Sequence, residues 1–307
     1  MIKRPTGSPA ALLTLLLCLA SACAGPADGP DRAAHEASVE QWRAQRLANL
    51  TSETGFLTLT GLHQLADGHV TLGGGPDSDI VLQGSVPAEV GTLEVDGGSL
   101  RFHPAADSQV TLEGEPVTAP ISLTSDDPGP PTLLEIGPVN FHVILRGGVA
   151  LLRVRNSNHP ARSEFTGIDS FPIDASWRFD ARFDLYEPTK QIPIANIIGQ
   201  VSDSPSWGAV VFEREGETHR IDAIADPGDE RLFLIFGDVT SGHETYGGGR
   251  YLYADAPGAD GRVDLDFNRA YNPPCAFNAY ATCPLPPPQN RLPIRVEAGE
   301  KNFDAGH

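Results

Sequence analysis

The chain of 307 residues is acidic, since 40 Asp and Glu residues against 22 Lys and Arg give a formal net charge of −18. Such a surface repels nucleic acid and anionic lipid headgroups, so we expect neither as a partner. A composition of 40% hydrophobic and 20% charged residues supports one large domain or two smaller ones, each with a core of its own.

Residues 1–22 are predicted to be an export signal. Lys3 and Arg4 precede an apolar run over residues 10–20 that is too short for a stable membrane span. Small residues then lead to Cys23, and this segment resembles the processing box of bacterial lipoproteins. The resemblance implies cleavage before Cys23 and its acylation, which would anchor the protein stably; an ordinary secretory signal cut nearby is the alternative.

The expected location is therefore the cell envelope, with membrane contact through a lipid anchor only. No Asp retention signal follows Cys23, so in a host with two membranes we expect the periplasmic face of the outer membrane.

Residues 23–35 are predicted to be a flexible tether, and residues 36–54 an amphipathic helix. Apolar side chains recur there at helical spacing, at Val39, Trp42, Leu47 and Leu50. Such a stripe favours a short helix packed on its own domain over a helix that binds a partner.

From Gly55 onward, short apolar runs alternate with turn residues, and 32 glycines and 27 prolines supply many turns. This pattern predicts a mainly β fold, with a β-sandwich over residues 55–146 and a second β-rich domain over residues 147–307. Four motifs in order, Gly75–Leu82, Thr92–Val95, Val110–Val117 and Ile136–Phe141, resemble a forkhead-associated β-sandwich. In that family an Arg beside the first Gly and a Ser-x-x-His motif bind phosphothreonine. Neither is present here, so we expect a sandwich that does not bind phosphothreonine.

The most informative segment runs from Leu265 to Lys301 and is called the signature below. Seven prolines between Pro273 and Pro293 fix its path, which suits a site that holds polar groups in place. The candidate ligand-binding residues in and beside it are Arg250, Asp266, Asn268, Arg269, Tyr271, Asn272, Asn290, Glu300 and Lys301. A buried hydrogen-bonded network that locks the proline-rich loop is the alternative.

A β-ribbon is also expected beside the signature. Residues 251–253 and 263–267 read as two short strands joined by a hairpin-like link. Their pairing would bring Arg250 within salt-bridge reach of Asp266.

Motifs across the C-terminal half resemble those of the bacterial domain-of-unknown-function family 1684. They are Glu244–Tyr246, Asp266–Phe277, Cys283–Pro288, Asn290–Leu292 and Ala298–Lys301. The resemblance extends over nearly the whole mature chain. Because the family has no established activity, it implies membership and no reaction.

Apart from Cys18 and Cys23 of the export segment, Cys275 and Cys283 are the two cysteines expected in the folded body. A disulfide or a buried thiol pair is the first interpretation. A catalytic or ligand-contacting thiol is the second, and a metal site the third, since zinc would need two further ligands such as His243 and Glu244. We assign no metal and no cofactor.

Two classes of function remain. The first is a binding or scaffold lipoprotein whose rigid polar site holds a small molecule or an envelope protein. The second is a hydrolase of a small or envelope-derived substrate, with Asp266, His243 and Cys275 as candidate catalytic residues and with Arg250 and Asn268 as charge stabilisers. An open pocket where Asp266 and His243 converge would favour the enzyme, whereas a filled network would favour the scaffold.

Overall fold

The computed structural model describes Met1 and residues 30–303. The predicted export signal, Cys23 and most of the predicted tether lie outside the described residues. No helix within residues 30–303 combines the length and the apolar character that a bilayer crossing requires.

Helix α1 spans Pro30–Leu50 and so begins within the segment predicted as tether. A proline is well suited to the first helical position, where its missing N–H is not needed. Beyond the helix the chain turns back at Gly55, where a Cβ atom would collide with the carbonyl oxygen of Leu50.

The buried face of α1 differs from the predicted one at a single position. Val39 and Leu50 are buried and Trp42 is half-buried, as expected, but Leu47 is 41% exposed. The polar side chains of His35 and Arg46 complete the buried face instead, because they bind acidic partners on the body of the protein.

This orientation predicts different effects for two leucines of the same helix. Leu50→Ala should lower the free energy of unfolding by about 2–5 kcal/mol, because a fully buried side chain leaves a cavity. Leu47→Ala should change it by less than about 0.5 kcal/mol. Chemical denaturation of both variants measures the difference, and equal losses would contradict the orientation of α1.

The first β unit contains eleven strands. They are β1 (Leu59–Gln64), β2 (Gly68–Gly73), β3 (Ile80–Val81), β4 (Gly91–Asp96), β5 (Ser99–Pro104), β6 (Thr111–Leu112), β7 (Glu115–Pro116), β8 (Ile121–Ser122), β9 (Leu134–Ile136), β10 (Val139–Arg146) and β11 (Val149–Asn156). A short helix α2 (Pro160–Ser163) follows them.

These strands form two sheets, in the orders β1-β11-β10-β9-β6-β7 and β3-β2-β4-β5-β8. All pairs are antiparallel except β2 with β3. One hydrophobic cluster, with Leu93 and Phe102 from one sheet and Phe141 and Leu152 from the other, fills the space between them. Strand β11 lies beyond residue 146, where we expected the sandwich to end, yet it pairs with both β1 and β10. The relationship to forkhead-associated domains stays a prediction.

The second β unit contains β12 (Arg178–Ala195), β13 (Val201–Arg214), β14 (Glu217–Asp222), β15 (Arg231–Phe236), β16 (Arg250–Asp255) and β17 (Arg262–Asp266). A four-stranded sheet, β14-β13-β12-β17, packs over the pair β15-β16. Their shared core includes Phe212, Phe236 and Phe267, which contact one another edge-on or tilted. The prediction of a mainly β protein with two β units and a short N-terminal helix is confirmed.

The expected ribbon between β16 and β17 was wrong. Strand β16 pairs with β15, and β17 pairs with β12. Leu252 and Leu265 both enter the core from opposite sheets, so the link between the strands crosses from one sheet to the other. Arg250 consequently meets Asp238 at 3.4 Å and not Asp266.

Candidate functional site

Helix α1 lies directly on the signature. His35 Nε2 is 2.8 Å from Asp266 Oδ2, and Arg269 donates to the Ser38 hydroxyl at 3.0 Å. At the other end of the contact, Arg46 donates to the carboxylate of Glu300 at 3.1 Å. The chain's own helix is therefore the partner of several signature residues that were predicted to bind a ligand.

Both oxygens of the Asp266 carboxylate have hydrogen-bond donors as neighbours. Besides His35, its carboxylate accepts the backbone N–H of Asn268 at 3.1 Å and the side-chain amide of Asn268 at 2.8 Å. Arg269 adds a guanidinium nitrogen at 3.5 Å. Because Asp266 is only 6% exposed, this carboxylate is above all a buried structural acceptor.

Two buried asparagines act as clamps between segments. Asn268 accepts from the N–H of Asp174 and donates to its carbonyl oxygen, both at 2.9 Å. Asn290 does the same for Asp222, at 2.8 and 2.9 Å, and donates further to the carbonyl of Ile235. Each amide side chain thus replaces a missing strand partner and satisfies buried backbone groups.

Arg250 is fully buried and holds the end of the signature. Its guanidinium donates to the carbonyl oxygens of Val296, at 2.8 Å, and Ala298, and it faces the Asp238 carboxylate. Burial lowers the pKa of Arg250, and Asp238 opposes that effect. The side chain therefore connects the end of the signature to Asp238, and it presents no donor to solvent.

Glu300, Asn272 and Lys301 close the network. Asn272 donates its backbone N–H to Glu300 at 2.7 Å and its side-chain amide to the carbonyl of Lys301 at 2.7 Å. Burial raises the pKa of Glu300, while Arg46 opposes the rise. The Lys301 ammonium lies 4.8 Å from the centre of the Phe171 ring. Most of the predicted ligand residues thus form a filled network.

Beside the signature, one cleft of about 440 Å³ includes Arg46 and Glu300 in its lining. A second cleft, of about 110 Å³, lies between α1 and the ends of β16 and β17. It is called the tyrosine cleft below. Its lining residues are Trp42, Arg231, Tyr253, Ala254, Asp255, Asp264, Asp266, Arg269 and Tyr271. The rings of Tyr253 and Tyr271 are stacked at 6.5 Å and 16°, and Arg231 lies 4.4 Å from the centre of the Tyr253 ring. Aromatic rings and charged groups of both signs therefore line this cleft together.

His243 does not converge with the other candidate catalytic residues. It is exposed in the turn that begins at Thr240, whose carbonyl accepts its N–H at 3.1 Å. Among the described residues it has no side-chain hydrogen bond to Asp266 or Cys275. Its neighbour Glu244 pairs with Arg295.

Cys275 and Cys283 do lie together, as free thiols. The backbone N–H of Cys275 donates to Cys283 Sγ at 3.1 Å. Within residues 30–303, no cluster of three or more His, Cys, Asp or Glu side chains is placed to hold a metal ion.

The model of the family described as "Protein of unknown function (DUF1684)" matches residues 163–301. The chain belongs to this family. The match covers the second β unit and the signature, so it is narrower than the nearly whole mature chain that we expected. Neither α1 nor the first sandwich falls within it.

The similar protein of known structure is itself uncharacterized, so it indicates no function. The solution NMR structure of an uncharacterized protein from Haloarcula marismortui is similar, with 31% identity and a TM-score of 0.40 over 48% of this chain and 81% of that one. No curated protein matches the chain.

In this DUF1684 member, sequence reasoning missed the partners that α1 supplies. His35, Val39, Trp42, Arg46 and Leu50 follow one another at steps of three or four residues. The sequence does indicate these partners, because the polar residues His35 and Arg46 stand at the same helical spacing as the apolar ones. The buried face was predicted from its apolar residues alone. Arg231 and Tyr253 of the tyrosine cleft carried no comparable signal.

A basic cluster on β10 and β11 was missed as well. Arg146, Arg153, Arg155 and His142 lie together on the outer face of the first sandwich. Burial and the neighbouring arginines lower the pKa of His142 to about 4 and that of Arg153 to about 10. Arg146 and Arg153 both donate to Thr282 at 3.3 Å, so this face meets the segment between the two cysteines.

The depressed pKa of His142 predicts a loss of stability in acid. Unfolded His142 binds a proton near pH 6.5, whereas folded His142 does so only near pH 4. Between these values the unfolded state binds more protons, so the free energy of unfolding should fall as the pH drops through this window.

His142→Gln should flatten this pH dependence, and His69→Gln, which replaces an exposed histidine, should leave it unchanged. Urea unfolding at several pH values between 4 and 6.5 measures the slopes. A wild-type slope retained by His142→Gln would contradict the assignment.

Proposed function

We propose that this protein is a lipid-anchored binding protein of the cell envelope and that the tyrosine cleft is its ligand site. The observation that carries the proposal is the cleft where the near-parallel rings of Tyr253 and Tyr271 meet, beside a signature most of whose other polar side chains already have partners. Small-molecule sites combine aromatic walls with a few placed polar groups in this way.

The chemistry of the lining favours a sugar ring as the ligand. A sugar presents a C–H face that packs on an aromatic ring. Phe233 and Arg231 already pack on the Tyr253 ring, so the sugar would contact the part of Tyr253 that gives it 40% exposure. Its hydroxyl groups suit carboxylate acceptors and guanidinium donors, which Asp255 and Arg231 supply at the rim of the cleft. The small volume, about 110 Å³, fits one terminal ring better than an extended chain.

Binding is favoured over hydrolysis for two reasons. The carboxylate of Asp266 is occupied by donors from His35, Asn268 and Arg269, so it has no free position for general-base work. His243 lies apart from both Asp266 and Cys275. A filled network is the outcome that we associated with a binding or scaffold role.

Calorimetric titration with a panel of neutral, acidic and N-acetylated monosaccharides and disaccharides tests the ligand class. At least one should bind, and Tyr253→Ala should raise its dissociation constant tenfold or more, since that ring is outside the core. Tyr186→Ala is the matched control. Tyr186 also has cationic side chains over its ring, from Lys190 and Arg220, but it lies on β12 away from the cleft. Binding that Tyr253→Ala leaves unchanged would remove the cleft from the proposal, and failure of the whole panel would remove the sugar.

The proposed anchor is Cys23. Seven Cα–Cα steps lead from Cys23 to Pro30, and at roughly 3.5 Å per step they reach about 25 Å at most. A helix α1 docked on the signature would therefore hold the body close to the lipid surface. Mass spectrometry of the mature amino terminus decides the point, and a free, unacylated terminus downstream of Cys23 would contradict it.

A further inference from the structure

Cys275 and Cys283 form a pair with unequal exposure. Cys283 is 3% exposed, whereas Cys275 is partly open to solvent. The backbone N–H of Cys275 donates to Cys283 Sγ at 3.1 Å, so the two side chains lie next to each other. The partly exposed sulfur of Cys275 thus lies next to the buried sulfur of Cys283.

The surroundings favour a thiolate at the reachable position. The hydrogen bond from Cys283 lowers the pKa of Cys275 to about 7, while the same bond and burial raise the pKa of Cys283. Arg153 adds positive charge on the side of Cys283. The other titratable groups facing the pair are Tyr246 and Tyr251, and burial raises the pKa of both, so they stay neutral.

We propose that Cys275 and Cys283 form a thiol–disulfide exchange site, with Cys275 as the attacking sulfur and Cys283 as the resolving one. The substrate class is a low-molecular-weight disulfide. The inference stands apart from the tyrosine cleft and does not require that a sugar binds there.

The reaction balances in two exchanges. Cys275 thiolate attacks one sulfur of the disulfide, forms a mixed disulfide and releases the first thiolate. Cys283 then loses its proton, attacks Cys275 Sγ and displaces the second thiolate. The proton of Cys283 passes to the thiolate released first, so the small disulfide takes up two electrons and becomes one thiol and one thiolate, and the protein keeps a Cys275–Cys283 bond.

The position of the pair links this chemistry to the contact between the two β units. Asn278, between the cysteines, donates to the carbonyl of Leu59 in β1 at 2.8 Å, and Thr282 accepts from Arg146 and Arg153. Oxidation would close residues 275–283 into a covalent loop at the place where the first sandwich rests on the signature. The redox state of the pair therefore sets the rigidity of that junction.

The test uses the full chain with Cys18→Ser and Cys23→Ser, which leaves Cys275 and Cys283 as the only thiols, since the chain has four cysteines. The reduced protein is mixed with glutathione disulfide, quenched with acid, alkylated and measured by intact mass. We expect an internal disulfide, no lasting glutathione adduct, and a rate that reaches half its maximum near the pKa of about 7 given for Cys275.

Two variants separate the roles of the sulfurs. Cys283→Ser should accumulate a stable glutathione adduct on Cys275, and Cys275→Ser should react at least tenfold more slowly, because Cys283 is buried. Circular dichroism checks that both variants are folded, and alkylation after denaturation confirms that each thiol is present. Equal reaction rates in the two folded variants, or a reduced pair that glutathione disulfide leaves untouched, would overturn the proposal.

Discussion

Replacing Asp266 with asparagine is expected to lower the free energy of unfolding by about 3–5 kcal/mol, the loss typical of removing one member of a buried charge pair. The exchange puts an N–H₂ group either at Oδ1, which faces the donors of Asn268, or at Oδ2, which faces those of His35 and Arg269. With Asp266 only 6% exposed, water cannot replace the lost acceptor.

Asp264→Asn is the matched control, because Asp264 lies two residues earlier on β17, is largely exposed and pairs with Arg178 at 2.7 Å. That surface pair should contribute about 1 kcal/mol or less. Chemical denaturation followed by circular dichroism compares the two variants. Equal small losses would mean that Asp266 does not hold the signature to α1, and loss of ligand binding without loss of stability would return it to the binding surface.

The fold could be predicted to the level of its elements because strand signals are local. Apolar runs between glycine and proline clusters located most strands of the first sandwich, and the stripe of Val39, Trp42 and Leu50 located α1. Pairing was harder. Residues 251–253 and 263–267 looked like a hairpin in sequence, but each strand found a better partner in another part of the chain, β15 and β12.

The sequence identified which residues of the candidate site are special, but it did not predict which residues they contact. The special residues of the signature marked a place where the chain is tightly constrained, and Asp266, Asn268, Arg250 and Glu300 are indeed buried there. Their partner, helix α1, lies 231 residues from Asp266 in sequence, as the His35 contact measures. No local pattern specifies such a contact, so a ligand and a buried network looked equally suitable from the sequence.

Burial also explains why most of the polar groups of the signature are closed to a ligand while the neighbouring cleft is open. Groups that tie segments together must be fully paired, and pairing consumes the donors and acceptors that a ligand would need. Tyr253, by contrast, keeps 40% of its surface exposed although Phe233 and Arg231 pack on its ring. A ligand site beside a rigid network, rather than inside it, follows from this division.

Replacing Arg250 with methionine should also lower the free energy of unfolding by about 3–5 kcal/mol. Methionine fills part of the same space, but it leaves the Asp238 carboxylate without its guanidinium partner and frees the carbonyls of Val296 and Ala298. The side chain of Arg250 is 0% exposed, so solvent offers these groups no substitute.

The matched control is Arg262→Met, which removes an exposed arginine that pairs with Asp180 on the surface of the same β unit. Its loss should be about 1 kcal/mol or less. The double variant Arg250→Met with Asp238→Asn tests the cause. If the uncompensated carboxylate accounts for the damage, the double variant should lose less stability than the sum of the two single variants, by about 0.5–3 kcal/mol. Strict additivity would place the contribution of Arg250 in its bonds to the signature carbonyls and not in its pairing with Asp238.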